Sequence, residues 1–519
     1  MERNTLSIKV ILLCVPVVLW GVCLILPTFD DYTSLQSPWW VQIADPGYFF
    51  PDCVRRPFDA LLGYIVGCFP TLFPTLNHVL IILGHTASAC LVFSICKKLS
   101  CPSLATNIAT LFFFFSPATL GATLACDGFN QTYAQLWGLL ALWIYLSQFT
   151  VQSSEFRVQS SEFRVHSSQF TVHNSQMWLL CIVMAALSKE NGLAWAVVPP
   201  IIGYGFGKVD LKKALRHIGY GLVVALIYFI IYYSIYKSGI LNIEYDEQYM
   251  EATWADHLKD FAQLMAYTWL PADYMSIVYA PSRNWIIAGI TAIISLPFLI
   301  LLAKIFFSSL LHRSSSIVPP PSSLLPPPSS LLLPLTSLIL CFFILVSPHL
   351  LTVVSIMHNY AALSMAALLI ATLLTHSASN SKVFTLHSLF FTLYLAAALF
   401  TDIHHYIAAR ESGLLGQQMA LQVISQAEKP LEHVTCINID DDTEPRYSSF
   451  CVRPVDAFAW GLAVRHYSHY EWKTRIDEIS LPQYNQKQVE ALTDSALNSG
   501  SQAVWIVGGT KQPIDIKHP

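Results

Sequence analysis

The stretch MWLLCIVMAALSKENGLAWAVVPPIIGYGF, residues 177–206, decides how the rest of the chain is read. It is apolar on both sides and broken in the middle by Ser188, Lys189, Glu190 and Asn191. A Lys or Asp at the centre of a bilayer costs about 2.5–3.5 kcal/mol on insertion scales, so one uninterrupted helix carrying both charges at its midpoint is disfavoured. Two segments meeting at one membrane face is the better reading. The half from Met177 to Leu187 is short for a span, which would draw Lys189 below the interface into a cavity lined by protein.

Working outward, 54% of the residues are hydrophobic and 12% are charged, and the mean hydropathy is +0.50, a balance foreign to a soluble globule of this size. A helix needs about 20 mostly apolar residues to cross the hydrocarbon layer. Windows at 8–27, 77–96, 103–125, 132–148, 213–236, 284–306, 332–352, 359–376 and 384–401 qualify. With the split pair they give an all-α polytopic membrane protein of about eleven spans. The first window is long and has no small-residue cleavage site, so it reads as a retained anchor. Arg3, Lys9, Lys97, Lys98, Arg157, Arg164, Lys208, Lys212, Lys213, Arg216, Lys304, Arg313 and Lys382 fall on one side. That side is the cytoplasmic one by the positive-inside rule, with the N-terminus inside. The chain then sits as a multi-pass protein in the plasma membrane, or the inner membrane of a bacterium.

Residues 1–401 form the membrane domain on this reading and 402–519 a soluble extracytoplasmic α/β domain. The tail pattern predicts helices over His404–Gln426, Val455–Tyr470 and Gln486–Leu497 and strands over His433–Ile439 and Ala503–Val507. The external loop 28–76 carries PWWVQIADPGYFF and RPFDALLGYIVGCFP, which are too short or too polar to span and read as interfacial helices. Trp39 and Trp40 suit an aromatic belt. Residues 149–176 repeat FTVQSSE, FRVQSSE, FRVHSSQ, FTVHNSQ without an apolar seam, and 312–331 are Pro/Ser-rich, so both read as low-complexity cytoplasmic loops. The run NIDDDTEPRY lacks the turn glycine and closing glutamate of a calcium loop. Cys436 and Cys451 share the external domain, where an oxidising compartment permits a disulfide without demanding one.

The polar residues expected at the external face form one constellation. Asp30 and Asp31 follow the first span in LPTFDDYTSLQSPWW, Arg55 and Arg56 open the amphipathic segment, and His78 and His85 flank the second span in NHVLIILGH. Asp127, Asn130 and Gln131 mark the next corner, Lys189 and Glu190 the broken segment, and His358, Asn359 and Tyr360 open a late span. Plainer roles compete: helix-end solvation for the acids, headgroup contact for the arginines, a mutual ion pair for Lys189 with Glu190, interhelical packing for the histidines. Asn130–Thr132 also spell a glycosylation sequon.

The order of these motifs resembles the integral-membrane glycosyltransferases of the GT-C superfamily: an acidic pair after the first helix, RP before an amphipathic segment, an Asn/His helix carrying GH, then LSKENGLAW. The likeness is to the protein O-mannosyltransferase-like and aminoarabinose transferase-like branch and covers residues 1–210. It implies transfer of a sugar from a polyprenyl-phosphate donor to a glycan, lipid or protein acceptor at the extracytoplasmic face. Carried onto this chain, Asp30 or Asp31 takes the acceptor proton. Arg55, Arg56 and Lys189 meet the donor phosphate, and Glu190, Asp127, His85 and His358 line the cleft. Asp30 and Asp31 could instead hold a divalent cation, Mg or Mn. The rival class is a transporter or lipid flippase without covalent chemistry, which calls for matched repeats that the chain does not display. A net charge of −4 and the lack of a basic aromatic-interleaved face argue against a nucleic-acid partner.

Overall fold

The computed structural model describes residues 6–28, 31–32, 56–69, 72, 74–126, 128–155, 176–237, 253–271, 284–311, 331–351, 356–377, 381–427, 429–439, 450, 461–469, 471–508 and 514–519. Helix α1 (Leu6–Val22) is followed by α2 (Pro57–Gly67), the amphipathic segment expected to lie in the interface, and by α3 (Thr75–Lys98). The window at 103–125 is not one straight span. Helix α4 (Ser103–Phe114) stops before Pro117, and the chain resumes through a 3-10 turn (Pro117–Thr119) into α5 (Leu120–Thr123), bent by 46°. Proline cannot donate into the preceding turn, and the residue before it is pushed out of helical geometry; Ser116 is accordingly extended.

Next come α6 (Phe129–Glu155), α7 (Met177–Ser188), a 3-10 segment (Glu190–Ala196), α8 (Val198–Gly205) and α9 (Leu211–Lys237). The split expected at Lys189 is therefore present. Helix α10 (Trp254–Trp269) was not foreseen, although its Thr253/Asp256 capping box is a legible start signal. It packs against the segments Ser347–Leu351 and Ile356–Asn359. Helices α11 (Asn284–Leu311), α12 (Leu332–Val346) and α13 (Tyr360–Ser377) complete the bundle. Among the described residues, four helices are long and apolar enough to cross a membrane, or five counting the bent pair, with three shorter apolar helices beside them. The chain is an integral membrane protein on that evidence.

Helix α13 is the axle. Ala362, Leu363, Ser364, Met365, Ala366, Ala367, Leu368, Ile370 and Ala371 are all fully buried, against α4, α12, α3 and α6 among others. Small residues let helix backbones approach closely, which is the main source of helix association where lipid is as apolar as leucine. By contrast α9 is exposed along Leu215, Leu222, Leu226 and Phe229, as befits a lipid-facing helix.

The span expected at 384–401 and the helix expected at 404–426 are one helix, α14 (Ser381–Gln426), which leads into a four-stranded mixed sheet. Its strands are β1 (His433–Ile439), β2 (Arg475–Leu481), β3 (Ala503–Val507) and β4 (Ile514–Lys517), in the order β2-β1-β3-β4. Only the last pair is antiparallel. Helix α15 (Leu462–Tyr467) follows β1 and α16 (Gln486–Asn498) follows β2. Strand alternation sends Val434, Cys436, Trp505 and Val507 toward α14 and α15, and Ile437, Ile439, Val504 and Ile506 toward α16. Both faces are covered, so β3 reads as a continuous apolar run. Strands β2 and β4 were missed because they are edges, and charged edges carry little apolar alternation. Cys436 is a free thiol donating to Asn438 Oδ1 at 3.2 Å; Cys451 lies outside the described residues.

Candidate functional site

The turn after α1 is built by a capping arrangement. Thr28 N–H and its hydroxyl donate to Asp31 Oδ2 at 2.8 and 3.2 Å. The other oxygen, Oδ1, accepts from the backbone N–H of Cys126 at 2.6 Å. Asp31 is buried. Cys126 is gripped further: Asn77 Nδ2 donates to its carbonyl at 3.1 Å, and its sulfur lies 3.4 Å from His78 Nε2, which also meets Ile25 O at 3.3 Å. One carboxylate thus joins the end of α1 to the corner that precedes α6.

Tyr32, the next residue, packs into the apolar core between α14, α15 and the C-terminal sheet. Its ring lies 5.9 Å from His466 and 6.3 Å from Tyr467, and its hydroxyl donates to Tyr467 Oη at 3.4 Å. Burial, then charge interactions with Tyr467, raises the Tyr32 phenol well above its usual range. The acid-bearing turn is therefore braced on one side by the bundle and on the other by the sheet domain.

A second group gathers at the break after α7. Lys189 ends that helix in an extended conformation. The chain then folds back so tightly that a Cβ on Gly192 would stand 2.3 Å from Ala185 O, a place only glycine can occupy. Lys189 Nζ donates to Asn130 Oδ1 at 3.3 Å. Glu190, which the sequence offered as a partner for its neighbour Lys189, meets Arg56. Arg56 holds it bidentately, with Nε 3.2 and 3.1 Å from the two carboxylate oxygens and a second nitrogen at 3.0 Å. Arg56, expected as a phosphate ligand, already has a carboxylate partner. Planar guanidinium and carboxylate match in shape, which favours this two-bond contact.

Beyond them, Asn191 Nδ2 lies 3.5 Å from Gln131 Oε1 and donates to His349 Nε2 at 2.9 Å. His349 stacks on His358 with centroids 4.4 Å apart. Burial first, then His349 and Lys189, pushes the His358 imidazole below its ordinary range, so it is neutral. His85 plays another part. Its Nδ1 meets Tyr360 Oη at 2.6 Å, its Nε2 meets Phe114 O at 3.1 Å, and its ring is stacked on Phe114. It is an interhelical tie joining α3, α4 and α13.

Of the expected site residues, Asp31, Arg56, Lys189, Glu190 and His358 are joined through direct contacts or near neighbours at one end of the bundle. Asp30, Arg55 and Asp127 lie outside the described residues. Sequence reading missed Asn191 as a bridging amide, and His349. The signal for Asn191 was present in its break within an apolar run. His349, after Ser347–Pro348 at a helix end, offered no periodicity to mark it.

For a divalent cation the donor set is incomplete among the described residues. Asp31 brings one carboxylate whose oxygens already accept from Thr28 and Cys126, and no group of three His, Cys, Asp or Glu is present. Mg is held through one or two carboxylates with waters completing its shell; Asp30, the other acid of the pair, lies outside the described residues, and no step is assigned to a metal.

No protein-family model matches the chain, and no curated protein sequence does. Among solved structures it is similar to the Archaeoglobus fulgidus oligosaccharyltransferase in complex with Zn and sulfate, at 13% identity, 93% coverage of this chain and TM-score 0.42. The chain spans 64% of the length of that relative. It is also similar to the archaeal oligosaccharyltransferase AglB from the same organism in complex with an inhibitory peptide and a dolichol-phosphate, at 12% identity, covering 98% of this chain and 70% of that one, TM-score 0.45. ArnT from Cupriavidus metallidurans in the apo state matches at 14% identity, 96% and 92% coverage and TM-score 0.34. These scores describe a loose likeness of outline, and no residue role is carried over from it.

Proposed function

We propose that this chain is a GT-C-type glycosyltransferase of about eleven spans, moving a sugar from a polyprenyl-phosphate carrier to an acceptor at the extracytoplasmic face, where its C-terminal domain also lies. The observation that carries the reading is that the turn bearing Asp31, the Arg56–Glu190 pair and Lys189 meet at one end of the bundle. Asp31 is bonded to Cys126, and Asn130, in the first turn of the helix that follows, is bonded to Lys189. The motifs that prompted the resemblance lie far apart in sequence, and helix ends bring them together.

Within that reading the two acids divide the work. Asp31 spends its lone pairs on Thr28 and Cys126 and acts as a positioning residue. Asp30 is the proton acceptor for the incoming hydroxyl. Lys189, a compact point charge at the helix break, faces the phosphate that leaves with the carrier lipid and stabilises its developing charge. Arg56 orients Glu190 at the rim, and Arg55 and Asp127 are assigned to phosphate contact and to the cleft wall.

The test is turnover of dolichyl- or undecaprenyl-phosphate hexoses by the purified full chain in lipid nanodiscs, followed as label leaving the lipid fraction. Asp30→Asn is expected to abolish transfer, by about 10²-fold or more, and Lys189→Met to weaken donor binding. Full transfer by Asp30→Asn and Asp31→Asn alike would remove the proton-acceptor assignment.

A further inference from the structure

Helix α6 presents Gln131, Gln135 and Gly138 as one stripe, at i, i+4 and i+7. The ends of the stripe are fixed. Gln131 meets Asn191, and a Cβ on Gly138 would stand 2.3 Å from the ring of Trp195. Gln135 therefore faces the same 3-10 segment between them. On the other side Asn359 follows His358, which is stacked on the His349 that Asn191 holds. It precedes Tyr360, whose hydroxyl meets His85 and is also within reach of Thr132, the neighbour of Gln131. Four amides from three parts of the chain are thus bracketed together beside Lys189.

Three of these amides are buried, with Gln131 3%, Gln135 1% and Asn359 0% exposed, and Asn191 is half-buried. Yet Gln131 Nε2, both amide atoms of Gln135, Asn191 Oδ1 and both amide atoms of Asn359 have no hydrogen-bond partner in the protein. Buried polar groups are nearly always partnered, and six bare amide atoms gathered beside one cation call for a ligand or ordered water to complete them. The unpartnered set comprises three amide nitrogens and three carbonyl oxygens, with no charge. A phosphate would call for donors and cations, a metal ion for acceptors alone, and an acyl or prenyl chain for neither. A set that offers both donors and acceptors matches hydroxyl groups, each of which gives one bond and accepts up to two.

We infer that Gln131, Gln135, Asn191 and Asn359 form a subsite that reads the hydroxyls of the donor's sugar ring, next to the phosphate contact at Lys189. The inference rests on the glycosyltransferase reading, and the continuity is chemical: in the donor the sugar is bonded directly to the phosphate. A site built to hydrogen-bond hydroxyls discriminates strongly against a ligand lacking them, because its own buried groups are then left bare.

The experiment measures binding of dolichyl phosphate alone and of dolichyl phosphate carrying mannose, glucose or an N-acetylhexosamine to the full chain in nanodiscs, with thermal melts in parallel. The variants are Gln135→Met and Asn359→Leu, near-isosteric and apolar. In the unaltered protein at least one sugar-bearing carrier should bind about tenfold or more tighter than the bare one, and each variant should erase most of that advantage. Each variant should melt at or above the unaltered protein, since it removes an unpartnered buried amide. Equal binding of bare and sugar-bearing carriers overturns the subsite while leaving the phosphate reading intact. Binding of neither carrier overturns the glycosyltransferase reading, and this inference with it. A lower melting point in both variants shows that the amides are structural and also overturns the proposal; if one variant alone fails to fold, the other decides.

Discussion

The corner at Cys126 and the amides around Asn191 lie at the same end of the bundle and differ in how far their polar atoms are partnered. At the corner most polar atoms hold one another: Asp31 accepts from Thr28 and Cys126, Asn77 donates to Cys126, and His78 meets Ile25 and the Cys126 thiol, while Asn77 Oδ1 and His78 Nδ1 are left without a partner. Around Asn191, six amide atoms of four residues hold nothing. Each unpartnered buried group costs about 1–3 kcal/mol. A fold that keeps six of them together has given up stability for something, where the corner leaves two bare, on Asn77 and His78, and holds the rest. The difference separates side chains that set geometry from side chains available to a ligand.

The largest effect that would break this comparison is expected at Asp31. Asp31→Leu leaves the buried backbone N–H of Cys126 and the half-buried N–H of Thr28 without their acceptor. It should destabilise the full chain by roughly 3–5 kcal/mol, summing two such groups and the lost charge-assisted bonds. Thermal or denaturant unfolding in detergent measures it. A variant as stable as the unaltered chain would mean that the corner is not held by this carboxylate, and Asp31 would return as a candidate base.

Much of this was open to reading in the sequence, and what was not has physical causes. The break at Lys189 was legible because two charges in an apolar run have a known cost. Strands β1 and β3 were legible because a strand buried on both faces is a short apolar run between turn residues. Partner choice was not legible. Glu190 lies beside Lys189 in sequence, and it meets Arg56 because the fold-back at Gly192 brings α2 into reach. Nor could the sequence reveal that His85 is sealed by Phe114 and Tyr360, since a histidine on an apolar helix face has the same spacing whether it ties helices or lines a cleft. The amide subsite was invisible for a related reason: glutamine and asparagine are ordinary residues until burial leaves their atoms bare.

Acid offers a second, weaker way to loosen the corner. Tyr32, beside Asp31, packs on His466, whose imidazole is pushed down to about 4, first by burial and then by His469. The folded-state value lies below the unfolded one, so between pH 6.5 and about 4 the unfolded chain binds a proton that the folded chain refuses. Stability contributed at neutral pH is lost as the pH falls through that window, by at most about 3 kcal/mol at its lower end. Asp477, held low chiefly by its bond to His433, contributes with the same sign but over a more acidic range, losing its share as the pH falls through its lowered value. Melting curves of the full chain from pH 7 to pH 4, compared with those of His466→Phe, isolate the imidazole. The variant should lose less stability with acid than the unaltered protein; parallel curves would detach His466 from the brace.

The smallest expected effect tests the boundary between the two groups. Arg56 and Glu190 are each about a quarter exposed, at 22% and 27%, and form a bidentate pair between the corner and the amides. Solvent screening at that exposure limits such a pair to about 1 kcal/mol in a double-mutant cycle of Arg56→Met and Glu190→Gln. The sign of the functional coupling is more informative than its size. If the pair only closes the rim, both single variants and the double variant should bind bare dolichyl phosphate about equally. If Glu190 instead keeps Arg56 away from the phosphate, Glu190→Gln alone should tighten binding, because the released guanidinium gains a bidentate partner, and adding Arg56→Met should cancel the gain. The first result places the pair with the corner, as structure; the second moves Arg56 back among the phosphate ligands and places the boundary on the far side of Glu190.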